Sequence, residues 1–434
     1  MHKVPVWVRQ DLTEEFWDKD PKGFPWYGFQ NGINKEILSD KSLHSFDAHG
    51  DPYIAMGTTT LTASLIYEFL TSASELKGKK YYYPIPYVPH HNDIDLDDLI
   101  LIEPLHLKHV RKGNCKILII NHMEGWNHNG FFKIFIDAII TKYKLSYKNF
   151  VILSGNMQKT EYGVPTIYYN WWEHHHAPVN NPGIYDYGRE GLYHQTRLQR
   201  KNKFLCLNRR AHWHRIVLAA LMLEHKEKGI LTSHKITDNS DGLWNKNIDV
   251  LKEYLACSEA DGIEEFNNIE LKIKELEKQL PIQYYDDGFD CNNDNPTMDQ
   301  HLTKFYDSYL HIVSETYLEN GQTFFSEKIF KPIMHFQPFI LIGSHNDLQA
   351  LRSLGYKTFE GIIDETYDTI ESPFVRLATA YNEIVRIINL SNDELEKMYI
   401  DCQDILIHNY WHWVYRQNII PWKLKNDLLR ELNE

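Results

Sequence analysis

The chain has 434 residues, 43% of them hydrophobic and 24% charged, with 46 Lys and Arg against 59 Asp and Glu for a net charge of −13. That length exceeds what one hydrophobic core ordinarily covers, so two domains are expected. The acidic balance provides no global field toward nucleic acid or an anionic membrane and leaves only a local basic groove as a route to such ligands. The five cysteines, Cys115, Cys206, Cys257, Cys291 and Cys402, are scattered and lack Cys-x-x-Cys spacing, which argues for reduced thiols and against a thiolate zinc site. Apolar runs such as 117–120 and 131–140 are too short or too interrupted by charge to span a bilayer, and the N-terminus has no charged-then-apolar leader pattern, so a soluble cytoplasmic protein is expected.

In chain order, residues 1–45 are rich in Trp, Phe, Pro and Gly and carry no assignable period. Residues 116–120 have the character of a buried strand, 131–143 of a helix and 150–154 of the next strand, the alternation of parallel strands joined by helical crossovers. Residues 180–203, rich in Asn, Gly, Tyr and Arg without sustained periodicity, form the expected joint. The alternation then resumes with strand 204–207, helix 212–225 and strand 230–233. Ile263, Phe266, Ile269, Ile273, Leu276 and Leu280, set among Glu and Lys, predict one long amphipathic helix. Strand 309–313, a helix opening at Ser326, strand 339–343, helix 347–354 and strand 358–363 follow, then helices over 374–390 and 393–407 leading into Asn409-Tyr410-Trp411-His412-Trp413.

The richest stretch lies between the strands at 309–313 and 339–343. Ser326 is a good helix N-cap, Glu327 and Lys328 fall in the first turn, and Ile329, Phe330, Ile333, Met334 and Phe336 recur at helical spacing behind them. Such a helix start at a strand's carboxyl end offers backbone N–H groups and a positive dipole end to an anionic group such as a diphosphate. A charged first turn on an ordinary exposed helix accounts for Glu327 but not for Lys328. Arg209, Arg210 and Arg215 follow a buried strand closely; a solvated basic turn is the alternative. Packing or capping is the simpler role for His212 and His214 taken singly.

Phe204-Leu-Cys-Leu-Asn-Arg-Arg-Ala-His-Trp-His-Arg215, then Tyr309-Leu-His-Ile-Val-Ser-Glu-Thr316, Phe325-Ser-Glu-Lys-Ile-Phe-Lys-Pro332 and Pro338-Phe-Ile-Leu-Ile-Gly343, together resemble the donor half of the α1,3-fucosyltransferase family. The Ser-Glu-Lys pattern is also similar to that of glycosyltransferase-like proteins of large bacteriophages. The resemblance implies an α/β fold of the GT-B type, with two Rossmann-like domains, an interdomain cleft and C-terminal helices. It divides the chain into an acceptor-side domain over 1–195, a nucleotide-sugar domain over 196–385 and helices over 386–434 that pack back on the first domain. It implies a glycosyltransferase, inverting and metal-independent, with a nucleotide-diphosphate sugar as co-substrate and no other cofactor. Glu327 would bond the donor ribose, Lys328 the phosphates and Arg215 the diphosphate, with Arg209 or Arg210 in its place after a small register shift; Ser326 and Glu315 complete the donor set. The sequence departs from the family in a longer loop between Glu315 and Glu327 and in Val-Ser-Glu-Thr where the family has an aromatic-Glu-Asn-Ser run.

A departing nucleotide diphosphate gathers negative charge, which fixed Arg, Lys and helix N-termini stabilise without reorganising. No Asp-x-Asp stands at a donor-side strand end; Asp93, Asp95 and Asp97 lie in an acidic stretch of the first half. An inverting transfer needs a base, and Ile117-Leu-Ile-Ile-Asn-His-Met-Glu-Gly125, a strand ending in polar residues and a Gly, nominates Glu124 and then His122, unless that turn only closes the strand. His90-His91 with Asp93, and Glu173 with His174, His175 and His176, have poor ligand spacing and fit acceptor-side loops better than a metal site. The stretch 286–295 is acidic without a calcium-loop register. The acceptor is a glycan or another hydroxyl-bearing molecule, a hydroxylated DNA base included. The alternatives are a sugar- or nucleic-acid-binding protein that kept the fold without the reaction, and a His-cluster metalloenzyme.

Overall fold

A computed structural model of the chain describes residues 2–7, 66–70, 72–86, 102–121, 125, 128–175, 199–208, 210–234, 241–255, 262–283, 285–286, 289–290 and 303–434. The fold is α/β with parallel sheets and divides into two compact units: Met1–Asn180 with Arg416–Glu434, and Asn181–Tyr415. Among the described residues no helix is long and apolar enough to cross a membrane.

The first unit contains strands β1 (Val4–Trp7), β2 (Tyr67–Leu70), β3 (Tyr81–Pro86), β4 (Cys115–Asn121), β5 (Phe150–Ser154) and β6 (Thr166–Tyr168), with helices α1 (Pro104–Arg111), α2 (Phe131–Tyr143) and α3 (Trp171–His175). The strands lie in the order β2-β1-β3-β4-β5-β6, each pair parallel. β4 and β5 are apolar almost throughout because helices cover both faces. Side chains alternate sides along a strand, so Ile117 and Ile119 pack with Phe132, Phe135, Ile136 and Ile139 of α2. Leu118 and Ile120 pack instead with Leu424, Leu428 and Leu432, which belong to the last helix. Those three leucines are almost wholly buried, a contribution of about 1.5–3 kcal/mol each. Polar contacts fix the same segment: the Tyr82 hydroxyl donates to the Leu428 carbonyl at 2.7 Å, and Arg416 grips the buried Glu173 carboxylate with two nitrogens, one at 2.8 Å.

The second unit begins with β7 (Asn202–Asn208), α4 (Trp213–Met222), a 3-10 turn over Leu223–Lys228, β8 (Ile230–Ser233), α5 (Asp241–Leu255) and α6 (Ile269–Gln279). A two-residue antiparallel ladder, β9 (Tyr285–Asp286) with β10 (Phe289–Asp290), and α7 (Thr303–Tyr306) come next. They lead to β11 (Ser308–Ser314), α8 (Glu327–Met334), β12 (Phe339–Ile342), α9 (Asp347–Ser353), α10 (Pro373–Ile388), α11 (Asn392–Asp401) and α12 (Gln403–Asn433). Four strands pair in the order β12-β11-β7-β8, all parallel. Residues 386–415 group with this unit, and α12 belongs to the first unit from Arg416 onward.

Three expectations are corrected. The amphipathic run 263–280 is not one helix: a 3-10 turn at Glu264–Phe266 precedes α6, and Asn268, left-handed at φ 61°, separates them. Residues 358–363 do not form a strand, because their polar groups are engaged locally. The Glu365 carboxylate takes the Phe359 N–H at 2.6 Å and the Thr358 hydroxyl at 2.7 Å, and the chain turns at Gly361. Phe336 lies beyond the end of α8 in a left-handed conformation, held by its ring on Tyr410 at 4.6 Å and by the Tyr399 hydroxyl on its carbonyl at 2.8 Å.

Candidate functional site

The order β12-β11-β7-β8 gives the second unit a reversal of winding. From β7 the chain passes to β8 on one side, and β11 and β12 are added on the other, so the winding reverses between β7 and β11. At such a reversal the loops leaving the two strands diverge, opening a crevice at the carboxyl edge of the sheet. Asn208 ends β7 and Ser314 ends β11. The register places Ile312 beside Cys206, which brings Ser314 level with Asn208 two residues on. Both side chains are buried there, and Asn208 Oδ1 and Ser314 Oγ have no hydrogen-bond partner among the described residues.

Helix α4 starts at this edge. Its Arg215, 4% exposed, donates from Nη2 to the Glu315 carbonyl at 2.8 Å, and His214 Nε2 shares that carbonyl at 3.0 Å. The carbonyl can only accept, so His214 carries its proton on Nε2, leaving Nδ1 bare. Burial, reinforced by Arg215, lowers the His214 pKa to about 4, so the ring is neutral at pH 7. Burial also lowers Arg215, to about 10, against the opposing pull of Glu315 and Glu327. His212, the N-cap position of α4, stacks on His214 at 5.7 Å and is likewise held well below its ordinary pKa by burial and then by Arg215.

Glu315 is the hub. Its side chain is fully buried at the end of β11, with Oε2 accepting the Ser326 hydroxyl at 2.5 Å and the Thr316 N–H at 3.3 Å, and Oε1 the Ser326 N–H at 3.2 Å. Burial raises its pKa, and Lys328 and Ser326 oppose that shift. Ser326 caps α8 as its sequence position predicts, accepting the Lys328 N–H at 3.4 Å, and its hydroxyl also receives Lys328 Nζ at 2.8 Å. Lys328 Nζ lies 3.2 Å from Glu327. Burial pushes the Glu327 pKa up, but Lys328 and Lys331 outweigh it, and the carboxyl sits at about 2. It is ionised throughout the physiological range. Their side chains retain 13% and 23% exposure for Glu327 and Lys328, and Arg210 is exposed, so these groups present the site's charge to solvent.

The neighbouring strand end adds a second carboxyl. Asp347, buried at the start of α9, accepts the Ser344 N–H at 2.7 Å through Oδ2, leaving Oδ1 without a partner. Burial and Asp368 raise its pKa well above the carboxylate range. Gly343 leaves room for the buried acid beside it: a Cβ there would sit 2.2 Å from Asp347 Oδ2, so the carboxylate would have to move. Arg376 ties the surrounding loops together, donating to the carbonyls of Gly343 and Glu371 at 3.0 Å and also to those of Leu318 and Ile370. Nothing in the local sequence marked Asp347 or Arg376. Their role depends on loops more than twenty residues away meeting at one edge.

The structure thus brings together Arg215, Glu315, Ser326, Glu327 and Lys328, with Arg210 near enough to depress Arg215. It assigns Arg215 and Glu315 to the framework rather than to the exposed surface. Arg209, His122 and Glu124 lie outside the described residues, as do His90, His91, Asp93, Asp95, Asp97 and His176. Among the described residues no group of three or more His, Cys, Asp and Glu is placed to hold a metal ion.

The carboxyl edge of the first unit's sheet is different in kind. Asn121 and Ser154, register partners at the ends of β4 and β5, are both buried. Ser154 Oγ lies 2.8 Å from His128 Nε2 and accepts the Asn156 N–H at 3.0 Å, while His128 Nδ1 meets the Gln158 carbonyl at 2.8 Å. Nδ1 is therefore the protonated nitrogen and Nε2 accepts from Ser154. Burial lowers the His128 pKa, so this network is neutral, and the Asn121 amide beside it has no partner among the described residues. Compared with known proteins, the chain matches no family model, no curated sequence and no solved structure.

Proposed function

We propose that the chain is a glycosyltransferase of the GT-B type that takes a nucleotide-diphosphate sugar at the β7/β11 edge of its second unit. The observation that carries this reading is the convergence of Arg215, Glu315, Ser326, Glu327 and Lys328 at the winding reversal of a parallel sheet, beside the start of α8. A diphosphate there meets Lys328 Nζ, exposed Arg210 and the first N–H groups of α8, with buried Arg215 adding positive potential from behind. The ionised Glu327 accepts from a ribose hydroxyl.

In the reaction, the acceptor hydroxyl oxygen attacks the anomeric carbon and the bond from that carbon to the diphosphate breaks. The electron pair leaves with the nucleotide, and the proton passes to a base supplied by the first unit, with Glu124 and His122 as the candidates. The cations need not move as charge develops, which is what makes fixed groups effective. The acceptor is a glycan or other hydroxyl compound, hydroxylated DNA bases included. Titration calorimetry with a panel of uridine, guanosine, cytidine and adenosine diphosphates tests the reading. At least one should bind, and Lys328→Ala should weaken it about tenfold or more, the worth of one charge-assisted contact. No binding by any of the four overturns it.

A further inference from the structure

Helix α12 carries an apolar strip that remains exposed among the described residues. Trp411, Tyr415, Ile419 and Trp422 are 53%, 60%, 39% and 45% exposed, four of the nine large exposed hydrophobic residues among those described. At 100° per residue they fall within one arc of about 80°, over roughly 16 Å of a helix that continues unbroken through Pro421. Between 405 and 422 the only other fully exposed position is Asn418, so no exposed charge lies within the strip; exposed Asp404 and Lys423 lie beyond its two ends. Trp413, two residues from the first member, is by contrast fully buried, so the aromatic run divides between core and surface. A contiguous apolar strip rimmed by polar residues marks an interaction surface.

The pattern of the strip identifies its occupant. The strip's own residues carry no cation to attract a nucleic acid or an anionic bilayer, and the chain's charge of −13 opposes both. Its residues are spaced almost symmetrically about position 417. If two copies of the helix pair antiparallel with Tyr415 opposite Ile419 of a second copy, Trp411 falls within one residue of Trp422. The same register puts exposed Asp404, on the same side of the helix, opposite Arg430, whose side chain is 57% exposed. A two-fold interface requires one patch to be complementary to itself, and this one is so in both its apolar and its charged members. We infer that the α12 face joins two copies of this chain in an antiparallel, two-fold dimer, with the tryptophans as its anchors. One helix face is small for an interface, so the dimer is a weak one.

Sedimentation velocity and light scattering over about 1–200 μM protein test this. The expected result is a concentration-dependent rise from 51.4 kDa toward twice that mass. Trp411→Glu with Trp422→Glu should weaken association at least about tenfold, with an unchanged circular dichroism spectrum because both side chains are exposed. Asp404→Arg should weaken it less, and adding Arg430→Asp should restore it, which a parallel pairing would not show. A wild type that stays monomeric at the highest concentration, or a dimer indifferent to the double tryptophan change, overturns the proposal. So does a monomeric wild type that binds neutral phosphatidylcholine vesicles through the same tryptophans, since the face then belongs to lipid.

Discussion

The two parallel sheets end in opposite chemistries. At the carboxyl edge of the first unit, the described groups form a neutral network in which Ser154, His128 and Asn121 are buried and the imidazole is held unprotonated. At the matching edge of the second unit, Arg215, Glu315, Glu327 and Lys328 are charge-bearing groups linked through Ser326. Both edges are built from strands with apolar interiors and polar last residues, Asn121 and Ser154 in one, Asn208 and Ser314 in the other. What separates them is the element that follows. In the second unit the loop over 315–326 returns to the edge, where Glu315 holds Ser326 and a helix opens with that capping serine and a lysine in its first turn. Architecture therefore supplies the edge, and the loop and helix start that fold back onto it decide its charge.

The contrast can be broken most forcefully at Glu315. Glu315→Ala leaves the Ser326 N–H and hydroxyl without their buried acceptor, and a loss of about 3–5 kcal/mol is expected in urea unfolding of the full chain. A change under 1 kcal/mol would show that the hub is dispensable. Acid should sharpen the same contrast. His214, His311 and His335 are buried in the second unit with pKa values lowered to about 4, 3 and 3, by burial foremost in each. Above pH 6.5 they are neutral whether folded or unfolded and contribute nothing. As pH falls below 6.5 the unfolded chain takes up protons that the native rings refuse, so stability drops by up to about 1.4 kcal/mol per pH unit for each ring until the folded pKa is reached. Melting followed from pH 7 to 4 should show a steepening loss, and His311→Gln should flatten it.

Smaller effects are expected in the first unit. His128→Gln should cost about 1–2 kcal/mol through the loss of its contacts to Ser154 and Gln158, with nucleoside diphosphate affinity unchanged. A fall in that affinity would mean the two edges are not chemically independent. Lys328→Ala should cost about 1–3 kcal/mol, since the largely buried Glu327 carboxylate loses the cation that offsets its burial and the Ser326 hydroxyl loses a donor, while carrying the tenfold loss of ligand binding stated above. Thermal melts with and without the nucleotide separate those two consequences.

Much of this was legible in the residues. The strands at 150–154 and 230–233 and the helix at 131–143 fall where their apolar runs place them, because a parallel strand covered on both faces must be apolar along its whole length. The Ser326 cap was equally legible, since a cap depends on residues within three positions of one another. The strands β1 and β2 were not, being only four residues each and defined by pairing partners far along the chain. The failed strand at 358–363 has the same cause in reverse: its β-forming residues found Glu365 before they found a sheet.

By itself, then, the sequence determined the α/β class, the capped helix start and the cationic turn, all properties of short windows and their periodicity. Tertiary structure alone decided that Arg215, a hundred residues from Glu315, donates to its carbonyl, that Asp347 crowds Gly343, and that Trp413 is core while Trp411 is surface. Those outcomes depend on strand order and on which helix face finds a sheet to cover, and both are set by the free energy of burying the whole chain rather than by any local preference.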